Sequence, residues 1–145
     1  MSDGLWVMWP GPSRNQGRDL VVKLVYCIRR REGISAVEFS HYWLQEHGPL
    51  VKSLAPIMGA IRYIQSHLLD SDLNESFREG RGLAEPYDGI TEVWWASAEA
   101  LASAMATPEG SEAAGRLLKD ESRFIDFSSS RLFLTREHEI FDFDS

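Results

Sequence analysis

Cysteine occurs only once, at Cys27. No disulfide can form within the chain, which fits a reducing compartment. Its neighbours Tyr26 and Ile28 suggest a sheet position rather than a reactive thiol. No apolar run approaches the roughly 20 residues that a membrane helix needs. The first residues lack the basic start and continuous apolar stretch of a secretory signal, so the expected location is the cytoplasm. Positive charge is also scarce, with 15 Lys and Arg against 22 Asp and Glu and a net charge of −7. An acidic surface repels phosphate backbones, which argues against a nucleic-acid partner. The one basic run, Arg29 to Arg31, precedes Glu32-Gly33 and reads as a solvated turn. Several motifs are missing: G-x-G-x-x-G, a P-loop, paired cysteines, a nucleophile elbow around Ser128 to Ser130, and a calcium loop through Asp70, Asp72 and Glu75.

What remains is a chain of 145 residues, 43% hydrophobic and 11% aromatic, enough for one domain with a buried core. Residues 1–19 read as an arm. Pro10 to Gly17 argue against regular structure, while Trp6, Val7, Met8 and Trp9 are apolar enough to fold back on the domain or on a neighbouring subunit. The domain itself spans 20–145. The run VVKLVYCI over 21–28 predicts a strand. Ser35 and Glu38 then form a capping box, and Ile34 and Phe39 a hydrophobic staple. They predict a helix over 36–47, closed by a left-handed Gly48 and by Pro49, with a short helical piece over 49–54. Further strands are expected at 60–69, 88–96 and 131–136, and helices at 98–106 and from Thr107-Pro108 to Lys119. Residues 70–86 carry three Gly or Pro breaks and seven charged side chains and read as a long surface loop.

This order predicts an α+β, ferredoxin-like βαββαβ sandwich with a four-stranded antiparallel sheet and both helical units on one face. The alternation leaves the other face substantially apolar as well: one set holds Leu24, Tyr26 and Ile28, the other Val25 and Cys27. An exposed apolar sheet calls for cover, so a homodimer packed sheet to sheet is expected.

The stretch EFSHYWLQEHGPLV over 38–51 holds most of the candidate chemistry. On a helical wheel Phe39, Trp43 and Leu50 share a stripe, with Glu46 and His47 beside it, while His41 faces water. His47 falls in the expected last helical turn. There the helix dipole favours imidazolium and suits an acid/base role, or simply a cap on the last carbonyls. In the second strand Tyr63, Gln65 and His67 share a face, and the third strand carries Glu92 next to Trp94. If these groups meet His47 on the helix-covered face, they line a small polar pocket in an aromatic wall. Otherwise Gln65 and His67 are merely solvated at a strand end. A metal held by His47, His67 and Glu92 has no supporting motif.

In order along the chain, RRREGIS, EFSHYWLQEHGPLV, IRYIQSH, YDGITEVWW and FIDFSSS resemble the EthD-type family within the dimeric α+β barrel group. The carriers are F-x-x-x-W-x-x-x-H-G-P, here Phe39, Trp43, His47, Gly48 and Pro49, and the run from Arg62 to His67. The resemblance covers Lys23 to Phe141. It implies a sheet-to-sheet dimer, a small cavity between helices and sheet, and neither organic cofactor nor metal. Family members are linked to xenobiotic degradation or to dehydration and cyclisation of aromatic polyketides, and relatives in the wider group are cofactor-free monooxygenases and lactone isomerases. The expected activity is therefore cofactor-independent acid–base chemistry, of dehydratase, cyclase or isomerase type, on a small apolar compound. His47 is the expected acid/base, poised by His67 or Glu92. Tyr63 and Gln65 orient the substrate, and Phe39, Trp43 and Trp94 form the wall. A cofactor-free monooxygenase, a non-catalytic carrier of a hydrophobic metabolite and a purely structural dimer are the alternatives.

Overall fold

The computed structural model describes residues 20–144. The reading of the arm falls outside them. Four strands form one sheet: β1 (Val22–Ile28), β2 (Arg62–His67), β3 (Gly89–Trp95) and β4 (Arg131–Thr135). Their spatial order is β2-β3-β1-β4, and every pairing is antiparallel. This is the expected four-stranded α+β arrangement. The first crossover contains α1 (Ala36–Tyr42), a π turn (Trp43–His47) and α2 (Gly48–Met58). Between β2 and β3 lies α3 (Asp72–Arg81). The second crossover contains α4 (Ala98–Ala106), α5 (Pro108–Glu121) and a 3₁₀ turn at Phe127–Ser129.

Helix α1 starts as its sequence dictates. Ser35 Oγ accepts from the Glu38 N–H at 3.0 Å, satisfying a donor that the first helical turn leaves free. The expected stop at Gly48-Pro49 does not occur. Gly48 is right-handed, at φ −54° and ψ −52°, and its N–H bonds to the Trp43 carbonyl five residues back. Pro49 has no N–H to donate, so an unbroken α-helix would lose a bond there. The π turn absorbs the mismatch by shifting register. Proline normally expels its predecessor from the helical region by clashing with its Cβ; Gly48 has none, so the helix continues. The left-handed glycine that ends it is Gly59, at φ +75°.

The expected loop at 70–86 also contains a helix. Ser71 caps α3 by accepting from the Leu73 N–H, Asp72 and Glu75 sit in its first turn, Arg78 and Arg81 in its last, and Gly82 closes it at φ +63°. Its ends are matched to the helix dipole, yet none of its residues is buried. Leu73 and Phe77, one turn apart, are both exposed, so the amphipathic period that signals a helix covers only a single turn.

The core sits between the helices and one face of the sheet. Phe39, Trp43, Phe124 and Ile28 are almost fully buried and pack with Ile125. Phe39 lies 5.3 Å from Trp43 and 5.7 Å from Phe124, ring centre to ring centre. The Trp43 indole rests on the backbone of Gly89, where any Cβ would collide with ring atoms Cζ3 and Cη2. Gly89→Ala is accordingly expected to overpack the core and cost about 1–3 kcal/mol, read as a lower midpoint in chemical denaturation. An unchanged midpoint would show that Trp43 is not held against this strand.

A buried acid–base cavity

Beneath the sheet lies a cavity of about 180 Å³. Apolar cavities near 150 Å³ accommodate a benzene ring, so the space suits a one-ring compound. Its wall is largely apolar and includes Trp43, Val51, Met58, Trp95 and Phe124. The polar groups lining it are His47, Tyr63 and Thr91, together with Tyr26 and Glu121.

The π turn carries His47 into this wall, 6% exposed. Its Nδ1 lies 2.7 Å from Asp120 Oδ2, and the Tyr42 hydroxyl donates to Asp120 Oδ1 at 2.5 Å. Burial favours keeping Asp120 protonated, but the bonds from Tyr42 and His47 and the nearby Arg123 outweigh it, leaving the carboxyl below its ordinary range. The anion fixes the histidine tautomer: Nδ1 carries the hydrogen and donates to Asp120. Burial lowers the His47 pKa more than Asp120 raises it. The imidazolium expected from a helix end is therefore corrected to a neutral imidazole, because the helix does not end there and the ring is desolvated. Nε2 has no hydrogen-bond partner among the described residues, which leaves its lone pair available.

Glu121, the next residue after Asp120, is pushed up to about 7, chiefly by burial and further by the neighbouring Asp120 charge. Tyr26 donates to its Oε1 at 3.0 Å. Burial and this carboxylate in turn raise Tyr26 well above the ordinary phenol range. The cavity thus holds a neutral imidazole and a carboxyl close to half-protonated at neutral pH. Divergent environments of this kind separate a base from an acid.

The candidates named from sequence divide into three groups. His47, Tyr63 and Trp43 line the cavity. Gln65 and His67 stand behind it in a polar chain: Gln65 Nε2 donates to the Trp43 carbonyl and to the Tyr63 hydroxyl, both at 2.8 Å, and Gln65 Oε1 meets His67 Nε2 at 2.8 Å. His67 stacks on Trp43 with 4.3 Å between ring centres. Phe39 is core packing behind Trp43. Glu92 and Trp94 need correction. Residues paired across the sheet share a face, and Glu92 pairs with Val25 and Ile64 while Trp94 pairs with Lys23 and Arg62. Both therefore lie on the face away from His47. There Glu92 binds Lys23 Nζ at 2.7 Å, Trp94 Nε1 donates to Glu137 at 2.6 Å, and the Arg62 guanidinium lies over the Trp94 ring. Alternation runs Thr91, Val93, Trp95 towards the cavity, so the polar member of β3 in the site is Thr91, 6% exposed.

Asp120, Glu121, Tyr26 and Tyr42 were not singled out from sequence. One signal was present: two adjacent carboxylates end α5, where the helix dipole disfavours negative charge. Among the described residues, no three His, Cys, Asp or Glu side chains are grouped to hold a metal ion, and no helix is long and apolar enough to cross a membrane.

The family model described as the EthD domain matches residues 31–128, about two thirds of the chain. No curated protein sequence matches at a significant level. Among solved structures, an EthD-family protein of Bacillus halodurans aligns at a TM-score of 0.56 and 20% identity, covering 81% of this chain and 99% of that one. A dimeric ferredoxin-like protein of unknown function from Bacteroides fragilis aligns at 0.52 and 11%, covering 81% and 96%. A point mutant of SnoaB from Streptomyces nogalater, described as a cofactor-independent oxygenase, aligns at 0.50 and 15%, covering 83% and 95%. At these identities the likeness is one of fold.

The raised Glu121 pKa has a stability consequence. Between the ordinary 4.5 and about 7, the folded chain holds a proton that the unfolded chain has released, so this group's contribution falls as pH rises through that window. Glu121→Gln should flatten the decline, and denaturation curves at several pH values across the window check it. An unchanged slope would mean that Glu121 is not desolvated.

Proposed function

The chain belongs to the EthD family, and from that premise we propose a cofactor-independent enzyme that performs acid–base chemistry on a small, mostly apolar, one-ring compound. One observation carries the reading: an Asp120-held neutral His47 and a half-protonated Glu121 line the same apolar cavity. The fold likeness to SnoaB is compatible with catalysis that needs no cofactor.

In an elimination, His47 Nε2 takes a proton from the substrate and the freed electron pair forms the new double bond. The leaving hydroxide departs as water with the Glu121 proton. In an isomerisation, the proton is returned to a second atom instead. Asp120 stabilises the imidazolium that forms, and Tyr42 holds Asp120 in place. The largely apolar wall strengthens each of these interactions by limiting water around them.

We also assign the chain to a homodimer formed through the outer sheet face. That face presents Val25, Ile64, Ile90 and a half-exposed Phe133. The fold relative from Bacteroides fragilis is itself described as dimeric.

Native mass spectrometry of the full-length protein from its own host should recover a one-ring ligand. With that ligand or its precursor as substrate, His47→Gln should lower turnover by about 10²–10⁴-fold with the circular dichroism spectrum unchanged. Full turnover by His47→Gln would refute the base, and tight binding without turnover would identify a carrier. For the dimer, Val25→Asp should shift the sedimentation coefficient to that of a monomer; no change would place the interface elsewhere.

A further inference from the structure

The Tyr63 hydroxyl ends a hydrogen-bond chain whose direction is set at every link. The Trp43 carbonyl can only accept, so the Gln65 atom 2.8 Å from it is the amide nitrogen. The same nitrogen gives its other hydrogen to the Tyr63 oxygen at 2.8 Å. Gln65 Oε1 must then face His67 Nε2, also at 2.8 Å, so Nε2 carries the ring hydrogen. His67 Nδ1 is left as an acceptor and takes the Ser40 hydroxyl hydrogen at 2.7 Å. Donation therefore runs from Ser40 through His67 and Gln65 to Tyr63. The Tyr63 oxygen receives, and among the described residues its own hydrogen has only the Thr91 hydroxyl nearby.

A donor closed off from the cavity stands beside it. Trp43 is fully buried, and its Nε1 has no hydrogen-bond partner. It interacts with the Tyr63 oxygen and, like the Thr91 side chain, favours the ionised form, but burial dominates and raises the Tyr63 pKa. Both Trp43 and Tyr63 line the cavity. A buried donor without a well-placed acceptor is costly and uncommon; a ligand oxygen in the cavity would satisfy the Tyr63 hydrogen.

We propose that the Tyr63 O–H forms a seat for a ligand oxygen, so that the cavity selects a one-ring compound bearing a carbonyl. Ser40, His67 and Gln65 are positioning residues that keep the Tyr63 hydrogen directed at that oxygen. The proposal rests on the reading of this cavity as the ligand site. It also deepens that reading: when His47 removes a proton next to the carbonyl, negative charge develops on the oxygen, where fixed donors stabilise it most.

Acetophenone and ethylbenzene, nearly equal in shape, separate the possibilities. Titrated into the full-length protein and followed by NMR, acetophenone should bind about three- to tenfold more tightly, the effect of one net hydrogen bond. Tyr63→Phe should bind both ketone and hydrocarbon with the preference reduced or lost, and Gln65→Leu should weaken the preference by releasing the Tyr63 rotor. The wild-type ¹⁵N spectrum should show His67 protonated at Nε2 only, a reading that needs no variant to fold. Equal binding of the two probes would overturn the oxygen seat and leave the cavity reading standing. Binding of neither would overturn both. His67 protonated at Nδ1 only would overturn the direction of the chain.

Discussion

The packing of the Trp43 indole onto a strand without side-chain bulk is the constraint from which the site follows. Gly89 opens the space, its cross-strand partner His67 stacks on the ring, and Gln65 holds the Trp43 carbonyl. With Trp43 pinned, the π turn that begins there determines where His47 points. That turn exists because Pro49 cannot supply the hydrogen bond a regular helix needs. A backbone irregularity, enforced by one proline and tolerated because its predecessor is glycine, thus places an ionisable side chain in a cavity wall.

The electrostatics obey the same geometry. Asp120 and Glu121 are neighbours on one helix, yet they meet opposite environments. Asp120 receives two hydrogen bonds and stays an anion, whereas Glu121 is desolvated and feels the Asp120 charge, so it holds its proton to about 7. His47 is buried beside the anion and stays neutral. Two carboxyls of similar intrinsic acidity are thereby separated into an anion that orients His47 and a neighbour that keeps its proton to about 7. Solvent exclusion, hydrogen-bond count and the Arg123 guanidinium beside Asp120 together make that separation.

The sheet divides the labour between its faces. The inner face contributes Tyr26, Tyr63 and Thr91 to the cavity. The outer face arranges charge around Trp94: Lys23 joins Glu92 and Glu137, and Arg62 lies over the indole ring. The period of two along a strand makes this division all-or-none. A shift of one residue in assigning β3 moves Glu92 from the cavity to the outer face and replaces it with Thr91.

The sequence by itself determined the order of strands and crossovers, the antiparallel sheet, the start of α1 at Ser35, and the placement of Trp43, His47 and Tyr63 on the helix-covered side of the sheet. Apolar periodicity, capping residues and a recognisable residue pattern carry these features locally. Helix α3 escaped because its ends, rather than a buried stripe, hold it. The continuous helix through Gly48-Pro49 escaped because the local rule for proline was relieved by the missing Cβ and the π turn. Only the tertiary structure decided that Asp120 and Glu121, more than seventy residues from His47, stand beside it and in the same cavity wall, and that Glu92 and Trp94 lie on the opposite face of the sheet. The physical reason is that a pKa and a hydrogen-bond partner depend on solvent exclusion and proximity across the fold, and neither quantity is written in the spacing of residues along the chain.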